Sequence, residues 1–228
     1  DAPWPGWLFY ASVHFGPTNT FWNDFGALNT YVARVQSFLQ AGKPDNDILL
    51  YYPVYDEYAE PGRSLLRHFD GSATGTEVKT TAELLIGKGY AYDFISDKQV
   101  ADLEVHDAKI VTGGNSYQTI LLPQVKLIPV KTLEKILVMA SDGATVLIQQ
   151  LPGDVPGLSQ LAERRKEFNE LLTGLVFKPI AGTTVKRATT GKGQVLLSED
   201  VNQLLKQAAI RHESLPDQEI QFIRNLYG

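Results

Sequence analysis

The chain has 228 residues, 43% of them hydrophobic and 21% charged, with a formal net charge of −5 and no cysteine. That balance supplies material for a real core and excludes disordered, collagen-like and disulfide-scaffold classes. The missing cysteine removes thiolate metal sites, iron–sulfur clusters and a thiol nucleophile, and the mildly acidic charge lacks the basic footprint of nucleic-acid binding.

Trp7 to His14 is aromatic and apolar and predicts a strand, which Gly16-Pro17 breaks. Asp24 is placed to cap the helix that follows. Leu28, Tyr31, Val32, Val35, Phe38 and Leu39 recur at helical spacing, and Gly42 with Pro44 ends the run. Asp47 to Pro53 is a continuous apolar run, suited to a strand buried on both faces. Residues 54–75 read as irregular. A helix is predicted from Thr76 to Ile86, a strand from Tyr90 to Ile95, and a short helix opened by a Ser96/Gln99 capping box. Strands are predicted at Lys109–Thr112 and Tyr117–Leu122 around the tight turn Gly113-Gly114-Asn115. Then come a helix (Thr132–Ala140), a buried strand (Ala144–Gln149) and a charged amphipathic helix (Leu158–Leu172). Short strands at Val185–Ala188 and Gln194–Leu197, a helix from Glu199 to Ile210 and a last strand from Glu219 to Arg224 complete the pass.

From residue 47 onward, strands and helices alternate. This predicts parallel pairing through right-handed crossovers, hence an α/β domain with a three-layer, doubly wound, mostly parallel sheet. Residues 1–44 supply one strand–helix unit, which cannot bury itself alone. The apolar start and the strand-like end both read as cut from something larger, and no signal peptide is visible. No apolar run approaches the ~20 residues needed to span a bilayer.

A doubly wound domain binds ligands at the carboxyl ends of its strands. No GxGxxG or GxxxxGK[ST] follows any strand here, so dinucleotide and P-loop binding lack support. The GxSxG elbow of serine hydrolases is missing too. His68 with Asp70 and His106 with Asp107 read as solvated local pairs. No carboxylate pair stands out for glycoside hydrolysis, which needs two carboxyl groups at a set separation. Aromatic residues crowd the first 25 positions, including Trp4, Trp7, Tyr10, Phe15, Phe21, Trp22 and Phe25. They serve either as core or as a platform for the C–H face of a sugar. His14, at a strand end, together with Asn19 and Trp22 on the next loop, forms the candidate substrate-binding set. Asp56, after the following strand, is the weaker addition.

The stretch from Pro3 to Pro53 resembles the α-L-rhamnosidases of glycoside hydrolase family 106. The resemblance rests on Gly6-Trp7, the loop from Gly16-Pro17 to Trp22, Tyr31 with Arg34 and Gln36, and Gly42 through Asp47. Later agreement comes from residues 89–96, 117–123 and 132–152. The resemblance implies that residues 1–44 are the last strand and helix of a truncated (β/α)8 catalytic barrel. It implies that residues 45–228 are the accessory domain that follows, similar to a flavodoxin-like or class I glutamine amidotransferase-like fold. The family's acid and base carboxylates lie on earlier barrel strands, so no catalytic residue transfers to this chain. Its bound calcium finds no motif here, and no cofactor or metal is expected.

The leading expectation is therefore a fragment of a glycosidase, inactive alone, that supports the barrel and borders the sugar pocket. Its partners are the rest of the parent chain and, through it, a rhamnose-containing glycan, in the periplasm or outside the cell. The exposed amino-terminal segment is expected to self-associate. The rival from another class is a self-standing carbohydrate-binding module; a small α/β hydrolase is disfavoured by the missing elbow.

Overall fold

The computed structural model describes residues 16–17, 19–59 and 77–227. The predicted strand at Trp7–His14, the His68/Asp70 pair and the residues expected to self-associate lie outside them. The chain divides into two compact units, one running to Lys43 and resuming at Asn225, the other Pro44–Arg224.

In the first unit, a 3-10 turn at Trp22–Asp24 leads into helix α1 (Phe25–Gln40). Asp24 stands at the N-cap position, but its side chain makes no capping hydrogen bond. The periodic apolar residues are present, yet none is buried: Tyr31 is 66% exposed and Phe38 64%. At the other end, the orphan carbonyls of α1 are met by side chains. Asn225 Nδ2 donates to Leu39 O at 3.0 Å and Tyr227 Oη to Phe38 O at 2.9 Å. Strand β1 (Lys43–Pro44) pairs in a two-stranded sheet with β12 (Asn225–Leu226). Gly42 is required there, because a Cβ would stand 2.6 Å from Leu226 O.

The second unit runs β2 (Ile48–Tyr51), α2 (Val54–Ala59), α3 (Glu77–Gly87), β3 (Tyr92–Ile95) and α4 (Asp97–Ala101). It continues through β4 (Glu104–His106), β5 (Lys109–Val111), β6 (Ser116–Tyr117), β7 (Thr119–Gln124), α5 (Val130–Asp142) and β8 (Thr145–Gln150). Then come α6 (Leu161–Thr173), β9 (Lys178–Pro179), β10 (Lys186–Thr190), β11 (Gly193–Leu197) and α7 (Val201–Gln207). The main sheet is mixed and seven-stranded, in the order β3-β2-β7-β8-β11-β10-β9. The pairs from β3 to β11 are parallel, and the β11–β10–β9 end is antiparallel.

Strand residues alternate between two cores because the side-chain period is two. Leu50, Leu121, Leu147 and Leu196 stand in register across one face and pack with Val78 and Leu85 of α3 and with Leu204 and Leu205 of α7. Leu49, Ile120, Val146 and Val195 form the row on the opposite face, under Leu133 and Ile136 of α5 and Phe168 of α6. Burying each such side chain contributes ~1.5–3 kcal/mol. That is why these strands lack polar alternation.

Several elements differ from expectation. Residues 54–59, read as irregular, form α2, with Asp56 and Glu57 complementing the dipole of its first turn. His106 meets Glu104 across an exposed 3.0 Å contact rather than Asp107, because Asp107 and Ala108 both take positive φ in the β4–β5 turn. The strand predicted at Glu219–Arg224 does not form. Pro216 lies in a 3-10 turn and Glu219 is left-handed at φ 59, which breaks an extended run. The Ser96/Gln99 box is present, with the Ser96 N–H donating to Gln99 Oε1 at 3.0 Å.

Below the amino end of β2 lies a buried charge cluster. Asp47, 4% exposed, accepts from Gln118 Nε2 at 2.8 Å, from Arg211 and from Arg224. Arg211 also holds Asp45 at 2.7 Å, and Arg224 holds Glu213 at 3.3 Å. The cluster fastens the carboxyl-terminal residues 211–224 to the first strand of the sheet.

Candidate functional site

The parallel strands place a crevice where the order reverses. The chain runs from β2 to β3 on one side, then crosses to β7 on the other. In open α/β sheets, ligands enter at the carboxyl ends of the strands flanking such a point. Here the chain's own groups occupy it. Asp56 on α2 reaches across to the loop after β7, accepting from the N–H of Lys126 at 2.9 Å and of Leu127 at 2.7 Å. Beside it, the Tyr51 hydroxyl donates to Asp97 Oδ1 at 2.8 Å, and Thr132 Oγ1 donates to the same oxygen at 2.7 Å. Burial first, and the Asp97 carboxylate second, push the Tyr51 phenol far above its ordinary range. Tyr52 donates to Glu57 Oε1 at 2.5 Å, and burial followed by that bond raises its phenol to about 12. Both tyrosines therefore remain neutral donors, and Asp56 and Asp97 each accept two hydrogen bonds from the protein itself. That arrangement ties the loops together at the strand ends.

The sequence-derived candidates fall in different places. His14 lies outside the described residues. Asn19 and Trp22 belong to the first unit. The Asn19 N–H donates to Gly16 O at 2.9 Å and its Oδ1 accepts from the Phe21 N–H at 3.3 Å, so it builds the turn that the Trp22 N–H closes onto Asn19 O. The Trp22 ring stacks on Phe25 at 5.7 Å and 13°, and is 39% exposed. Asp56 belongs to the second unit, in the tie just described. Among the described residues, no three His, Asp or Glu side chains gather as a metal ion would require.

A cavity of about 460 Å³ lies elsewhere in the second unit. It is bounded by β3, the end of α4 and the β5–β6 hairpin. Leu49, Leu103 and Tyr117, all nearly fully buried, are among its lining residues, together with the polar Asp93, Asp102 and Asn115. Tyr117 Oη donates to Asp93 Oδ2 at 2.8 Å, and burial first raises this phenol to about 12. The Gly113-Gly114-Asn115 turn forms the expected hairpin, closed by the Thr112 N–H donating to Asn115 O at 2.9 Å. Sequence reasoning missed this concavity. Its polar residues are dispersed along the chain, and only the hairpin turn carried a local signal.

The family model described as glycoside hydrolase family 106, alpha-L-rhamnosidase, matches residues 1–226. A curated relative from Formosa agariphila, provisionally named a beta-glucuronidase, is 32% identical over 174 residues, covering 74% of this chain and 13% of the relative. A solved structure described as a rhamnosidase from Novosphingobium sp. PP1Y superposes with a TM-score of 0.64 at 21% identity, covering 89% of this chain and 17% of that one. This last likeness concerns the fold. The chain spans less than a fifth of either protein's length.

Proposed function

Because the chain belongs to the α-L-rhamnosidases of glycoside hydrolase family 106, we propose that it is a non-catalytic part of a longer glycosidase. In this reading it buttresses the catalytic barrel and borders the sugar pocket. The observation that carries the proposal is the crevice at the strand ends, spanned by Asp56 and by the Tyr51–Asp97–Thr132 network. A catalytic or nucleotide-binding domain of this kind would leave that crevice open to its ligand.

Two further features support the reading. The parallel strands follow the order second, first, third, fourth, fifth, with helices covering both faces, which favours the flavodoxin-like, three-layer description of the second unit. The exposed stripe of α1, with Tyr31 and Phe38 at its centre, suits a helix whose apolar face meets the rest of a (β/α)8 barrel. Such an enzyme meets its glycan in the periplasm or outside the cell, which fractionation of cells carrying the natural gene tests.

The main experiment is hydrolysis of an aryl α-L-rhamnoside. The purified chain gives no turnover above background, whereas clear turnover would overturn the reading. In the full-length enzyme, His14→Ala, Asn19→Ala and Trp22→Ala each lower kcat/KM by about tenfold if they contact sugar, with folding intact. Wild-type kinetics in all three would make these residues structural. A self-standing carbohydrate-binding module is the second reading, favoured by the partly exposed Trp22 ring. It requires sugar to change Trp22 fluorescence in the chain alone.

A further inference from the structure

We propose that the outer edge of β3 is a docking site for an extended peptide segment that carries a basic residue between apolar ones. β3 ends the seven-stranded sheet, with β2 as its one strand neighbour among the described residues. Ala91 O accepts from the Ile48 N–H at 3.3 Å, and Ile95 O accepts from the Tyr52 N–H at 3.0 Å. The backbone groups of Ala91, Asp93 and Ile95 therefore face β2. Alternation along the strand turns those of Tyr92 and Phe94 outward. On that side Tyr92 O has a long, 3.4 Å contact from Asn46 Nδ2, and among the described residues no strand pairs with Phe94. Such an edge is a template for one more strand.

A groove follows this edge. Asp93, Phe94 and Ile95 all line the cavity of about 460 Å³. Successive strand side chains point to opposite faces of a sheet, so a cavity that takes in three consecutive residues runs along the edge itself. The Phe94 ring, 50% exposed, is met edge-on by Tyr52 at 5.9 Å and Tyr92 at 5.4 Å, which fixes an apolar surface beside the outward backbone groups.

Charge selects the occupant. Asp93 and Asp102 line the groove, and no Lys, Arg or His among the described residues does. A second copy adding its own β3 about a twofold axis would bring two Asp93 carboxylates onto one face of the joined sheet, and like charges across strands are destabilising. A strand from another protein that turns Lys or Arg toward Asp93 and Asp102 meets complementary charge instead. Its alternate residues then fall on the Phe94 side, where apolar groups fit. The four residues of β3 extend over ~13 Å at ~3.3 Å each, so the occupant contributes about four residues.

The test titrates the 228-residue chain with the acetylated, amidated peptide Thr-Val-Lys-Val-Thr, following amide shifts and hydrogen exchange by NMR. Two controls are the same peptide with Glu in place of Lys and the same peptide with its Val and Lys amides N-methylated. The Lys peptide is expected to give saturable shifts at Tyr92, Asp93, Phe94 and Asp102. It also slows exchange of the Tyr92 and Phe94 amides, which exchange fast in the chain alone. The Glu peptide binds at least about threefold more weakly, and the N-methylated peptide does not bind. Asp102→Lys, at an exposed position, narrows the gap between the Lys and Glu peptides while leaving the thermal midpoint unchanged. No saturable shift with the Lys peptide, equal binding of the Glu peptide, binding of the N-methylated peptide, or unchanged exchange at Phe94 would each overturn the proposal. So would slow exchange of the Phe94 amide in the chain alone, whether from an edge already covered or from self-association that rises with concentration.

Discussion

Asp47→Asn removes the charge at the centre of the buried cluster while keeping its volume. Arg224, 12% exposed at its side chain, then keeps only the Glu213 contact at 3.3 Å, and its Nε already has no partner. Gln118 loses its 2.8 Å acceptor unless the new amide turns its oxygen toward it. Arg211 is half-exposed and retains Asp45, so its share is small. Breaking a buried pair from one side costs about 3–5 kcal/mol, which at ~2–4 °C per kcal/mol for a chain of this size lowers the thermal midpoint by about 6–20 °C. Differential scanning calorimetry reads the shift. Added salt changes it little, because the pair is shielded from solvent. Replacing both partners, as Asp47→Leu with Arg224→Met, recovers only part of the loss, since the buried pair is gone but Gln118 loses its acceptor and Glu213 its cation. A midpoint for Asp47→Asn within about 2 °C of the parent would refute the argument, because the cluster would then contribute no more than an exposed pair.

Further outcomes test other parts of the fold. The Arg165 hydrogen bonds hold the Asp154 carboxyl below the usual carboxylate range. A depressed carboxyl contributes stability above its unfolded pKa and loses it as pH falls through the folded one. Arg165→Gln therefore lowers the thermal midpoint at pH 7, and the gap to the parent closes on acidification below about pH 4; a gap independent of pH counts against the pair. Tyr51→Phe removes one of the two donors to Asp97 and costs about 1–2 kcal/mol in urea unfolding. Because the folded phenol is raised, its contribution is full below about pH 10 and declines above, so the variant should lose less stability than the parent on alkaline titration. Gly89→Ala forces a Cβ to within 1.9 Å of Glu213 O at a φ of +77°, and costs at least ~1–2 kcal/mol by the same unfolding assay.

Where local pattern and tertiary demand agree, the sequence was readable. The unbroken apolar runs at Ile48–Tyr51 and Thr145–Gln150 announce strands buried on both faces. The Ser96/Gln99 box and the Gly113-Gly114-Asn115 turn carry their geometry in consecutive residues. Where they disagree, it was not. Ile220, Phe222 and Ile223 have the composition of a strand, but Pro216 and the left-handed Glu219 set the preceding backbone, and the ties of Arg211 and Arg224 to Asp47 come from far along the chain. The helix at Val54–Ala59 was hidden because its lasting contact, Asp56 to the N–H groups of Lys126 and Leu127, spans about seventy positions.

The residues alone thus determined an α/β chain, alternating strand and helix, with a specific likeness to family 106 rhamnosidases in its first fifty positions. Those are properties of hydrophobic period and short motifs, which act within a few residues. Only the tertiary structure decided that Asp56 is a tie between loops, that Asp47 anchors the carboxyl-terminal segment, and that Asp93, Asp102 and Asn115 share a cavity. A carboxylate's role follows from which donors reach it and how much water remains, and both are set by strands and loops that meet only after the sheet has assembled.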